Sequence, residues 1–204
     1  MDFWNDISTR KSWDLLKELN KQFNFVVIGG WGIYLWTHSQ KSKDIDFIIE
    51  WKDLEKIKEN YEPKKNDRLK KYEIVVDEVD VDIYLPHYSK FLIPAENLIK
   101  LNAVIEGFNV LKPEPLLILK QQALRDRKDS IKGQKDRIDV LSLLISETIN
   151  FNKYQKILEE YKLWELNREL EKMIKLSRED FKYLNITNPR KIKQLKENWI
   201  KNLE

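Results

Sequence analysis

Two aspartates one residue apart, Asp44 and Asp46, follow the pair Gly29-Gly30, with thirteen residues between Gly30 and Asp44. In an extended segment side chains alternate, so Asp44, Asp46 and Ile48 share one face while Ile45, Phe47 and Ile49 share the other. The second set reads as core. The first brings two carboxylates side by side at the start of a strand, the oxygen donors that hard cations such as Mg2+ take. Two such ions about 3.5–4 Å apart activate an attacking oxygen and steady a leaving pyrophosphate. Gly29 and Gly30 let the backbone approach a phosphate closely, and a helix starting there turns its free N–H groups toward that anion. Either motif alone is common in ordinary folds. In this order and spacing they describe a compact site for a metal-bound nucleotide.

A second acidic pair lies in EVDVDIYL. Val79, Val81 and Ile83 alternate with Asp80, Asp82 and Tyr84. Aspartates on one face of an apolar strand are costly if that face is buried and they lack partners. A metal shared with Asp44 and Asp46 would be such a partner; an exposed sheet face is the alternative. Lys120, Arg125, Arg127 and Lys128 supply basic groups farther along. Lys135, Asp139, Ser142 and Ser146 then fall on one polar stripe, with Asp136 beside it. Lys135 and Asp139 either pair on the surface for roughly 0.3–0.5 kcal/mol, or Lys135 neutralises phosphate while the acids orient it. The two histidines, His38 and His87, are not at ligand spacing, which argues against a histidine metal site.

The elements that must position these groups follow from periodicity. Residues 8–20 predict an amphipathic helix, 24–28 a central strand, 31–38 a largely buried aromatic helix, 44–50 a strand and 52–60 a charged helix. Residues 68–76 and 78–85 predict a hairpin turning at Asp77-Glu78, ended by Pro86. The stretch 90–112 is open between strand and short helix, with a helix start near 95–99 and a strand in GFNVL. From Glu114 the pattern is helical. Leu116, Leu119 and Ala123 form one stripe, Leu117 and Leu124 another, and a break at Ser130–Gly133 precedes a helix with Ile138, Leu141 and Ile145 inward. Helices over 151–162, 165–176 and 189–203 complete the chain.

Composition bounds the reading. The chain has 204 residues, 42% of them hydrophobic, 35% charged and none cysteine, with a net charge of +3. Disulfide and thiolate chemistry are excluded. The charge is too mild to announce a nucleic-acid binder by itself. No apolar run approaches membrane-spanning length, and MDFWND does not read as a signal peptide, so the expectation is a cytoplasmic protein without a membrane partner.

Together these residues resemble the DNA polymerase β-type nucleotidyltransferase superfamily: a glycine turn, about a dozen residues, Asp-x-Asp, and a third carboxylate on a later strand. The stretch from Val110 to Leu144 is similar to the abortive-infection toxin branch and its archaeal relatives, through a Leu-Lys helix with Lys120, then Arg127, then Lys135-Asp136-x-x-Asp139. The resemblance covers residues 23–146. It implies an α/β (α+β) fold, a small mixed sheet with flanking helices followed by a helical C-terminal part. Residues 1–112 would form the nucleotidyltransferase core. Within 113–204, residues 113–146 would complete the active site and 150–204 would form a tail. The implied reaction moves a nucleoside monophosphate from a nucleoside triphosphate to an acceptor hydroxyl on RNA such as tRNA, on protein or on a small molecule. Asp44, Asp46 and Asp82 would be catalytic and hold Mg2+ or Mn2+. Asp82 fits the family's third acid better than Asp80 because it leads into IYLP. Gly29, Gly30, Lys120, Arg127, Lys135, Asp136 and Asp139 would hold the triphosphate. A toxin role would add an antitoxin protein as partner. A silent nucleotide- or RNA-binding relative, or a partner-binding module acting through the C-terminal helices, is the competing expectation.

Overall fold

A computed structural model describes residues 3–127 and 130–203. Lys128 lies outside the described residues.

The chain opens with helix α1 (Asp6–Gln22). The Asn5 side chain accepts from the Ile7 N–H, and Leu15, Leu16 and Leu19 are buried on one face. Strand β1 (Phe25–Val27) follows, buried throughout. It sits mid-sheet, where a continuous apolar run is needed because both faces are covered. Helix α2 (Gly29–Thr37) takes the glycine pair into its first turn, two residues earlier than the sequence pattern suggests. Strand β2 (Ile45–Ile49) returns antiparallel to β1, with Asp44 just before it. Helix α3 (Trp51–Asn60) leads to a short strand β3 (Lys64–Asn66), then β4 (Lys71–Val76) and β5 (Val79–Tyr84). The hairpin turn at Asp77-Glu78 is present, both residues at positive φ. Strand β3 escapes periodicity because an edge strand of Lys-Lys-Asn carries no apolar signal.

The open stretch 90–112 resolves into a one-turn helix α4 (Ala95–Leu98) and an antiparallel hairpin, β6 (Asn102–Ile105) with β7 (Phe108–Leu111). The seven strands form one mixed sheet in the order β3-β4-β5-β2-β1-β7-β6. Strand β2 runs parallel to β5, and β1 parallel to β7. The alternation in β2 divides as expected. Ile45, Phe47 and Ile49 join α1, α3 and the inward side chains of β5 in one core. Ile48 joins the other core, with the long C-terminal helices.

Those helices are α5 (Pro113–Arg127), α6 (Ile131–Ile145), α7 (Phe151–Glu160), α8 (Glu165–Leu176) and α9 (Pro189–Leu203), with a 3-10 turn over Glu179–Leu184. Gly133 does not break the chain: Ser130 caps α6 by accepting from the Gly133 N–H. The tail is tied to α5 by buried polar bonds. Tyr154 donates its hydroxyl to Gln121 Oε1 at 2.8 Å, and Gln121 Nε2 donates to the Leu166 carbonyl at 2.8 Å. The last helices therefore brace the helix that carries Lys120 and Arg127.

Candidate active site

Strands β2 and β5 are parallel neighbours, and their register sets Asp46 beside Asp82. This register separates the two candidates for the third carboxylate. Asp82 faces the cleft, whereas Asp80 is exposed and does not line it. The cleft holds about 510 Å³ and is walled by Gly29, Gly30, Asp44, Asp46, Asp82, Lys120, Arg127, Lys135, Asp136 and Asp139, so the structure brings every candidate residue to one site. Of the α5 apolar stripe, Leu116, Leu119 and Ala123 line the same wall.

The carboxylates differ in their surroundings. Asp82 accepts from Lys71 Nζ at 2.6 Å, and Lys71 also reaches Glu73 at 2.9 Å. Asp44 accepts from Lys132 Nζ at 3.1 Å. Asp46 has no salt bridge or side-chain hydrogen bond among the described residues. Burial, and then the charge of Asp82, push its carboxyl up to about 6. Burial also raises Asp82, against the pull of Lys71. Among the described residues no three histidine or acidic side chains stand close enough together to form a ready metal cage. The donor set is nonetheless all carboxylate oxygen, and no cation is bonded to Asp46 among the described residues, so the chemistry of the donors fits a hard divalent cation.

Opposite the aspartates, Lys120 bridges Asp136 and Asp139 at 3.0 and 2.8 Å, Arg127 holds Asp136 at 2.8 Å, and Lys135 donates to Asp139. Lys135 and Asp139 do pair, but inside the protein rather than on its surface as their spacing alone allowed. Lys135 is 5% exposed and Asp139 fully buried, because α6 packs this stripe against α5. Burial alone would lower the Lys120 pKa; the carboxylates of Asp139 and Asp136 outweigh it and hold that pKa above the ordinary lysine range. Three basic side chains stand against two carboxylates on this wall, and burial lowers the Lys135 pKa against the pull of Asp139. Neither histidine joins the site: His38 ends α2 beside Glu106, and His87 lies near Glu96.

Residues 7–188 match the family described as "Nucleotidyltransferase of unknown function (DUF6036)". The chain belongs to this nucleotidyltransferase family. In solved structures, JHP933 from Helicobacter pylori is similar at a TM-score of 0.57 and 16% identity, over 98% of this chain and 94% of that one, which supports the fold. The Megavirus polyadenylate synthase (TM-score 0.48, 16% identity) covers 71% of this chain, which spans only 32% of that protein. An antigenic nucleotidyltransferase-like protein from Paracoccidioides brasiliensis (TM-score 0.42, 16% identity) covers 84% of this chain and 93% of its own length. No curated protein matches the sequence. Among the described residues no helix is long and apolar enough to cross a membrane.

Several cleft residues of this chain carry no sequence signature. Lys71 and Lys132 are two among many lysines, and Ser42 sits in a loop. Tyr84 and Phe91, with ring centroids 4.8 Å apart, give the cleft an aromatic side.

Gly29 is required twice over. Its φ is +62°, and a Cβ there would lie 2.2 Å from Asp46 Oδ2 and 2.8 Å from Asp46 Cβ. Gly29→Ala should cost about 1–3 kcal/mol of stability and displace Asp46. Thermal unfolding and triphosphate binding measured together check this. An alanine variant with wild-type affinity would show that the close approach is dispensable.

Proposed function

We propose that this protein transfers a nucleoside monophosphate from a nucleoside triphosphate to an acceptor hydroxyl and releases pyrophosphate. The observation that carries the reading is the juxtaposition of Asp46 and Asp82 on adjacent parallel strands, with Asp46 against the start of α2, in one cleft. Asp44, Asp46 and Asp82 would hold Mg2+ or Mn2+. A bound divalent ion there would supply Lewis-acid charge to the phosphoryl group and lower the pKa of the attacking hydroxyl.

The chain's own residues account for the rest. First-turn N–H groups at Gly29 and Gly30 would cradle phosphate. The basic wall of Lys120, Arg127 and Lys135, ordered by Asp136 and Asp139, would offset triphosphate charge. Asp82, its carboxyl raised by burial, would accept the acceptor's proton. Fixed charges in a shielded cleft are the largest contribution expected of such a site. The Lys135-Asp136-x-x-Asp139 helix supports the abortive-infection branch, hence a toxin with an antitoxin partner and RNA, including tRNA, or protein as acceptor.

A second reading, a relative that binds nucleotide or RNA without transfer, is favoured by one observation. Lys71 and Lys132 already neutralise Asp82 and Asp44.

Calorimetry with the four nucleoside triphosphates, with and without Mg2+, followed by labelled-nucleotide transfer to RNA and protein acceptors, separates the two. The transferase reading expects Mg2+-dependent binding and label on an acceptor; binding with no label on any acceptor would favour the silent relative. Because Asp46 must be ionised to hold a cation, Mg2+-dependent affinity should fall as pH drops through about 6. Affinity that stays flat from pH 7.5 to 5 would remove Asp46 from the cation site.

A further inference from the structure

The N-terminus of α2 is open to the cleft. Ile28 precedes it without a side-chain capping bond, and first-turn N–H groups have no acceptor within their own helix. Ser42 reaches this point from the loop between α2 and β2. It is 8% exposed and lines the cleft, and among the described residues its hydroxyl has no hydrogen-bond partner. A Cβ on Gly30 would lie 2.6 Å from Ser42 Oγ and 2.8 Å from Ser42 Cβ. The space that a side chain at position 30 would fill therefore belongs to Ser42.

The Ser42 hydroxyl opens on the cleft with no partner of its own among the described residues, and a hydroxyl donates well to an anionic oxygen. The geometry points to a phosphate subsite built from the α2 N-terminus and the Ser42 hydroxyl, which donates to a non-bridging oxygen of a bound triphosphate. Gly30 is then small to admit Ser42, while Gly29 is small to admit Asp46. The inference rests on the triphosphate reading above and adds to it a contact residue from outside both glycine and aspartate motifs. The assignment does not depend on the acceptor or the base, because the subsite meets only phosphate.

The test is calorimetry on the full chain with inorganic triphosphate and with each nucleoside triphosphate plus Mg2+, alongside thermal unfolding. Ser42→Ala should weaken binding of both kinds of ligand about tenfold, the loss of one charge-assisted hydrogen bond. Its Tm should stay within roughly 2 °C of wild type, since no internal hydrogen bond is lost. The exchange Gly30→Ser with Ser42→Gly moves the hydroxyl across the same gap and should restore affinity to within about threefold of wild type. Wild type that binds while Ser42→Ala binds equally well overturns the subsite and leaves the triphosphate reading intact. A Ser42→Ala variant that loses Tm and affinity together, with no recovery in the exchange, makes Ser42 structural and also overturns it. Wild type that binds neither kind of ligand defeats the triphosphate reading, and the subsite with it.

Discussion

Asp46→Asn gives a protein that is folded, more stable than wild type at neutral pH, and at least a thousandfold poorer in nucleotide transfer. The gain and the loss have one source. Burial and the neighbouring Asp82 hold the Asp46 carboxyl near 6, above its unfolded value of 3.8. Below about pH 3 the group is protonated in both states and contributes nothing. As pH rises from about 4 to 6 the unfolded chain gives up this proton while the folded protein keeps it, and stability falls until both states are ionised. Asparagine keeps the shape and removes that cost, about 1–3 kcal/mol at pH 7.5. The corresponding rise in Tm is roughly 2–12 °C, vanishing near pH 3. Thermal unfolding at the two pH values and a labelled-nucleotide assay check the two halves. Full transfer by the mutant would mean that the cation site is elsewhere.

The largest loss of stability is expected at Asp139→Ala. Asp139 is completely buried, accepts from Lys135 and stands 2.8 Å from Lys120. Its removal leaves Lys120, Lys135 and Arg127 around the single carboxylate of Asp136. Uncovering a buried charge in this way costs about 3–5 kcal/mol, or a Tm lower by roughly 6–20 °C. The double variant Lys135→Met with Asp139→Leu replaces the pair by apolar groups of similar size and should recover most of that loss. If Asp139→Ala costs under about 1 kcal/mol, solvent reaches this cluster and the pair has only surface worth. The recovered double variant then asks whether the basic wall serves the ligand, because it should fold yet bind triphosphate more weakly.

Much of the site is legible because its signals are local. Asp44-x-Asp46 marks one strand face through a period of two, and Gly29-Gly30 marks a turn into a helix through backbone freedom. The Lys135–Asp139 spacing of four shows that the two side chains meet. It does not show whether they meet in water or in protein, since that depends on α5, which brings Lys120 to within 2.8 Å of Asp139. Lys71, Lys132 and Ser42 stay hidden for a related reason. Their residue types are ordinary, and only the folded chain aims them at the aspartates and at Gly30. The edge strand β3 is hidden because its backbone pairs with β4 while its side chains face water.

The sequence by itself therefore determined the strand, glycine turn, helix and acidic strand, the alternation of both acidic strands, and the helical second half. Each of these depends on neighbours within a few residues. The tertiary structure alone decided that Asp82 rather than Asp80 faces Asp46, that the charges of α6 are buried, and that the C-terminal helices brace α5. The reason is physical. Both aspartates of β5 point to the same face, so only the register of β2 against β5 distinguishes them, and register is a relation between distant segments that neither segment encodes alone.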